Sequence, residues 1–453
     1  MSDARTSPRQ RPRRPELLVA AALAAAVTGL WRLAVPLAAP ACCDALQYAT
    51  MAADPGRPVP TPYSFRALPS RLAHLLAAAT GGGAAGAFHL LSLACLAAAG
   101  PVVYLICRRL GAGHLVALAA MAALLSARGW VYYLSSPYMP DPAAFLLLAL
   151  AFLALLDLAV KHPRRRARWL LVAVTVVMAG VREVFVGLVL PAYALARRRG
   201  RLVEWRAAAL AVALLLPAWL AYQAIVQLSP STGVPQLGRL NARTVAEIWD
   251  LRVRGVNAAG ARTATVWWVS IAHTFAMSLG IWWLLAAAAW RDRRVRALAW
   301  WLPVVFANLL FGGDWSRFAL YAFPVVVPAG ALAIARATPA RRAPLLVLAG
   351  LQALVPAADV LAHAPSLNRP GPSLWLTLGL MALSALALWS PESWWSGLAH
   401  RGRPGGRLGH GVQAVTGAGL DGGDDRALDH GRLGDPGPGP DLAVDQVIDR
   451  HRS

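Results

Sequence analysis

Residues 143–160 read AAFLLLALAFLALLDLAV, apolar throughout except for Asp157. A helix needs about 20 such residues to cross a bilayer, whereas a buried helix of a soluble domain is shorter and keeps a polar face. Similar runs occupy 17–30, 207–228 and 345–361. Across its 453 residues the chain is 57% hydrophobic and 15% charged, against about 45–50% and about 25% for a soluble domain. This excludes a soluble globular enzyme, a disordered chain and a coiled coil. The expected fold class is all-α, a polytopic transmembrane helical bundle.

The formal net charge is +22, from 44 Lys+Arg against 22 Asp+Glu, and Lys161 is the only lysine. On a soluble protein such a charge points to nucleic acid. Here 24 of the 44 basic residues fall in six short segments, Arg5–Arg14, Arg108–Arg109, Lys161–Arg168, Arg197–Arg206, Arg291–Arg296 and Arg336–Arg342. The positive-inside rule places those segments, and both termini, in the cytoplasm. The charge is then a topology signal, and no nucleic-acid partner is expected.

Between the clusters the expected spans are 17–37, 84–107, 114–131, 143–160, 207–228, 265–290, 297–311, 319–336, 345–361 and 374–390. Residues 169–196 lie between two cytoplasmic clusters and must cross an even number of times. As one helix they reach about 42 Å, too short for two full crossings. The expectation is a hairpin of two short helices with Gly180-Val181-Arg182-Glu183 at its tip, giving about twelve helices in all. Residues 1–16 are a cytoplasmic basic N-terminus, 17–391 the membrane domain, and 392–453, rich in Gly, Asp, Pro and Arg, a disordered cytoplasmic tail. The N-terminus resembles a signal peptide, but Trp31-Arg32 interrupts its apolar run, and an uncleaved first helix is expected. Cys95 and Cys107 sit in an apolar run, and the adjacent Cys42-Cys43 are poorly placed to bond each other.

On the external side the informative residues are few. The loop at about 38–83 carries Asp44, at the start of a short amphipathic interfacial helix, then Phe65-Arg66-Ala67-Leu68-Pro69. Asp44 stands at a membrane boundary, where a carboxylate could take a proton from a hydroxyl or amine nucleophile. It equally suits an N-cap. Asp141 precedes Pro142, which reads as N-cap and first helical residue of the next span. It could also be a second site acid. Arg66, Arg71, Arg182 and Arg317 could clamp a phosphate by bidentate hydrogen bonds, or neutralise neighbouring acids, Arg182 with Glu183 and Arg317 with Asp314. Ala246–Leu251 suits an interfacial or lid helix. The tryptophan pairs 267–268, 282–283, 300–301 and 394–395 suit aromatic belts. His74, His89, His114 and His273 have no ligand spacing, so no metal ligand is assigned, and divalent-metal dependence is left open.

This layout resembles the GT-C class of polytopic glycosyltransferases, the dolichyl-phosphate-mannose mannosyltransferases among them. The resemblance spans about residues 15–335 and is one of pattern. In that class an acid follows the first transmembrane helix, where Asp44-Ala45-Leu46-Gln47-Tyr48 stands. An aromatic-Arg-x-Leu-Pro element like Phe65–Pro69 comes next, then a second acid where Asp141 stands. Short paired helices with a charged tip look like 169–196. Arg317-Phe318, leading to Pro324 and Pro328, is similar to a late element of the class. The resemblance implies transfer of a sugar from a polyprenyl-phosphate-linked donor to an acceptor on the external face of a bacterial plasma membrane. Asp44 would be the catalytic base and Asp141 would position a substrate. Arg66, Arg182 and Arg317 would bind the lipid phosphate, with Glu183 beside them. Asp44 lacks the adjacent acidic pair of some members, and no large external C-terminal domain follows. The acceptor, whether glycan, lipid or protein, is therefore not fixed. The alternative is a multi-pass transporter or flippase of a lipid-linked or small solute, which would predict repeated halves with matching broken helices.

Overall fold

The computed structural model describes residues 12–37, 43–60, 63–159, 165–197, 204–229, 274–311, 315–361 and 372–391. It is helical, with no β-strand among the described residues. In chain order the helices are α1 (Arg14–Ala34), α2 (Cys43–Ala53), α3 (Leu68–Thr80), α4 (Ala84–Leu110), α5 (His114–Leu125), α6 (Arg128–Ser135), α7 (Asp141–Leu158), α8 (Arg165–Ala179), α9 (Val189–Arg197) and α10 (Glu204–Leu228). There follow α11 (Trp282–Ala288), α12 (Arg293–Leu298), α13 (Leu302–Phe311), α14 (Trp315–Leu320), α15 (Phe323–Arg336), α16 (Pro339–Leu361) and α17 (Pro372–Trp389). Short 3-10 turns cover Tyr63–Arg66, Glu183–Leu188 and Ala299–Trp301.

Among the described residues five helices, α1, α4, α7, α10 from Trp205 and α17, are long and apolar enough to cross a membrane, and α5 and α6 pass the same test only as a pair, bent by 49° as in a broken span or a re-entrant loop. The chain is an integral membrane protein. Burial sorts these helices into centre and rim. Of the most apolar window, 67% is buried in α7 and 50% in α4, against 17% in α1, 22% in α10 and 28% in α17. The rim helices turn Leu30, Leu33, Leu220, Leu228, Trp375 and Leu386 outward. That is the apolar face a bilayer requires.

Ion pairs fix which helix ends lie together. Glu16 at the start of α1 takes Arg108 at the end of α4, at 3.4 Å. Arg109 reaches Asp157, near the end of α7, at 3.2 Å. Arg294 of α12 donates to the Leu110 carbonyl at 2.8 Å, and Arg336 at the end of α15 donates to Asp292 at 2.5 Å. Arg341 of α16 donates to the Leu388 carbonyl at 3.2 Å, at the end of α17. Arg108, Arg109, Arg294, Arg336 and Arg341, from three of the arginine clusters, therefore gather at one end of the bundle, as a single-sided charge bias requires.

The hairpin expected at 169–196 forms: α8 ends at Ala179, the chain turns at 180–182, and the 3-10 turn from Glu183 leads into α9. Its tip meets α3, where Gly180 accepts the Leu68 amide at 3.1 Å. On the return limb, a Cβ added to Gly187 would lie 2.7 Å from Val304 Cγ2 and 2.9 Å from Trp301 Cζ3. Gly187→Ala should therefore cost about 1–3 kcal/mol by overpacking. The expected result is a lower melting temperature in detergent, and an unchanged one would contradict this packing.

Several expectations need correction. The late spans expected at 297–311 and 319–336 are not continuous helices: the first is broken by the Ala299–Trp301 turn ahead of Pro303, the second around Tyr321–Ala322 ahead of Pro324. A proline lacks an N–H and is tolerated in a first helical turn, so each of these marks a restart. In the described part of 265–290, Gly280 adopts a left-handed φ of 53° before α11. The loop at 38–83 holds a second helix, α3, closed by Gly81 at φ 68°. The tryptophan pairs are not simple belts. Trp282 and Trp301 are buried, and the Trp301 indole N–H donates to the Tyr321 carbonyl at 2.8 Å, while Trp300 faces outward. Cys95 and Cys107 are buried and unbonded. Residues 246–251, Asp314, His273, the other two tryptophan pairs and 392–453 lie outside the described residues.

Candidate active site

At the end opposite the arginine clusters, α2, the 3-10 turn Tyr63–Arg66, the start of α7, the hairpin tip and α14 converge. Each brings one or more charged or phenolic side chains. Asp141, the first residue of α7, is completely buried. Its Oδ1 accepts from Arg182 at 2.5 Å and from the Tyr321 hydroxyl at 2.6 Å. Its Oδ2 accepts from Arg317 Nε at 3.1 Å and Nη2 at 2.6 Å. The N-cap reading fails here: Pro140 is the cap residue, no side chain caps the helix, and the carboxylate turns inward.

Asp44 lies in the first turn of α2. Its Oδ2 accepts from Arg317 Nη1 at 3.0 Å and its Oδ1 from the Tyr63 hydroxyl at 2.8 Å. Arg317 thus spends all three guanidinium nitrogens on two carboxylates. Of the Asp44 side chain 27% is exposed, against 6% of Arg317 and none of Asp141. Of the two carboxylates on Arg317, Asp44 is the one that a molecule outside the bundle can touch. Burial alone would raise the Asp44 carboxyl, but the Arg317 guanidinium and the Tyr63 hydroxyl outweigh that and hold it below its usual range. Burial, and then the hydrogen bond to Asp44, push the Tyr63 hydroxyl up to about 12, so it stays a donor at neutral pH.

Arg66 forks onto Glu183, with Nε 2.9 Å from Oε2 and Nη2 on Oε1. The neighbour pairing of Arg182 with Glu183 is therefore replaced: Glu183 turns to Arg66, and Arg182 to Asp141. Arg182 also lies over aromatic rings, 5.3 Å from the Phe318 centroid and 5.4 Å from that of Tyr321. Behind Asp141, Phe145 packs edge-on to Tyr321 at 4.9 Å and stacks on Trp130 at 5.0 Å. This apolar wall keeps water from the Asp141 side.

The structure thus brings Asp44, Asp141, Arg182 and Arg317 into one hydrogen-bonded group and sets Arg66 and Glu183 as a pair from the same segments. Arg71 is exposed on α3. His74, His89 and His114 bond the Ala52 carbonyl, Arg32 and Tyr104 respectively, which are packing roles. Sequence reasoning missed Tyr63 and Tyr321. Tyr63 sits in the Pro-rich stretch between the two motifs and carries no spacing signal. Tyr321 follows Arg317 by four residues, one helical turn, and that spacing was the available clue.

No family model matches the sequence, and no curated protein sequence does. Solved structures similar to the chain include two of an Archaeoglobus fulgidus oligosaccharyltransferase. One, tethered with an acceptor peptide containing the NVT sequon via a disulfide bond, aligns with 85% of this chain and 55% of its own at 15% identity and a TM-score of 0.45. The other, a complex with Zn and sulfate, aligns with 86% and 56% at 15% identity and a TM-score of 0.40. The chain spans little more than half the length of that protein.

Proposed function

We propose that the protein is an integral membrane glycosyltransferase that moves a sugar from a polyprenyl-phosphate-linked donor to a hydroxyl or amine acceptor on the external face. The observation that carries this reading is the meeting of Asp44, Arg317 and Asp141 at the end opposite the arginine clusters, with Asp44 the accessible one of the two acids that share Arg317. By the positive-inside rule that end is external.

In this reading Asp44 removes the proton from the acceptor as its oxygen or nitrogen bonds the anomeric carbon. The bond from that carbon to the phosphate oxygen breaks, and the polyprenyl phosphate leaves with the electron pair. A single displacement of this kind inverts the anomeric configuration. Arginine stabilises the charge that grows on the departing phosphate. Asp141, being wholly buried, does not touch substrate. It is a positioning residue that holds Arg182 and Arg317 in place, as an outer partner holds a ligand in a metal site.

The test is transfer by purified protein in nanodiscs, with a labelled polyprenyl-phosphate sugar and a panel of glycan, lipid and peptide acceptors. The expected result is label covalently on an acceptor with release of polyprenyl phosphate. Movement of intact donor across proteoliposomes, with no covalent change on any acceptor, would instead assign a flippase.

A further inference from the structure

The site just described holds three acids, Asp44, Asp141 and Glu183, and three arginines, Arg66, Arg182 and Arg317, each in an ion pair within the group. Their formal charges cancel. A phosphate arriving there gains an arginine donor by taking it from a carboxylate. The pairs differ in what that exchange costs. Asp141 and its two arginines are almost wholly buried, and separating a buried pair is strongly unfavourable. Arg66 holds both Glu183 oxygens with two nitrogens, so releasing it breaks a fork. The Arg317–Asp44 pair rests on Nη1 alone. After its loss Arg317 keeps Asp141 through Nε and Nη2, and Asp44 keeps the Tyr63 hydroxyl and its access to solvent. This is the weakest link of the six residues.

We infer that Arg317 is a latch: the phosphate of the lipid-linked donor takes over its Nη1, and Asp44 is released to face the acceptor. The inference rests on the glycosyltransferase reading and adds an order to it, because the base is withheld until the donor is in place. Deprived of its cation, the freed carboxylate is also the stronger base.

The experiment measures binding of decaprenyl phosphate to the full chain in nanodiscs. Asp44→Asn removes the competitor for Nη1 and should tighten binding by about fivefold, the factor expected for one partly exposed ion pair. In an Arg317→Gln background the same change should leave affinity within about twofold, since the two substitutions share one interaction. Relief of general charge repulsion would give the same gain in both backgrounds, and that result overturns the latch. So does equal affinity of wild type and Asp44→Asn. If Arg317→Gln does not fold, the wild type still decides. Adding decaprenyl phosphate should shift an aspartate carboxylate band in the infrared difference spectrum that is missing from Asp44→Asn, and a spectrum without that band overturns the latch. Decaprenyl phosphate that binds without these couplings sinks the latch alone. Decaprenyl phosphate that does not bind wild type at all sinks the donor assignment with it.

Discussion

Asp141→Asn should yield little folded protein. The substitution keeps the shape of the side chain and removes its charge, leaving Arg182 and Arg317 at 4% and 5% exposure without the anion they share. Removing one partner of a buried ion pair costs about 3–5 kcal/mol. Domains are stable by only about 5–15 kcal/mol. Asp157→Asn is the control at the arginine-rich end, where both partners are partly exposed, at 26% for Arg109 and 23% for Asp157. There the expected loss is under about 1 kcal/mol. Tryptophan fluorescence during heating in detergent, with the yield of monodisperse protein, measures both. An Asp141→Asn variant that melts with the wild type would show that the buried group is not held together by this charge.

Helix ends near the basic clusters were legible because the spacing of the clusters along the chain is a one-dimensional property. Each cluster marks a helix end, and the parity of crossings between clusters demanded a hairpin at Gly180–Glu183. The late helices were less legible. Residues 297–311 and 319–336 look like whole spans by hydropathy, but their breaks depend on local backbone choices at Ala299–Trp301 and Tyr321–Ala322. Helix α3 escaped notice because 13 residues of mixed Ala and Leu give no spanning signal.

The site shows a sharper boundary. The charged residues on the external side could be named from sequence because they are few. Their partners could not. Asp141 bonds Arg182 across 41 positions and Arg317 across 176, and Arg317 bonds Asp44 across 273. Sequence neighbours such as Arg182 and Glu183 seemed natural pairs. In the fold the hairpin tip points the two side chains to different helices, and burial makes an unpaired charge too costly to leave. The burial that separates Asp141, wholly enclosed, from Asp44, partly exposed, is likewise a property of packing and not of either residue's neighbours.

Asp44→Asn carries the second large effect, and it falls on rate instead of folding. Asp44 is partly exposed and has one arginine bond, so its loss costs the fold on the order of 1 kcal/mol. Removing a general base costs about 10²–10⁴-fold in rate. Since the donor's phosphate gains Arg317 when the carboxylate is gone, the fall should appear in kcat with no rise in the donor KM. The decisive measurement is kcat of purified Asp44→Asn against wild type, with a polyprenyl-phosphate sugar and acceptor both saturating and melting temperatures matched within a few degrees. The expected kcat is at least about 100-fold lower. A variant that transfers sugar within a few fold of the wild type would contradict it.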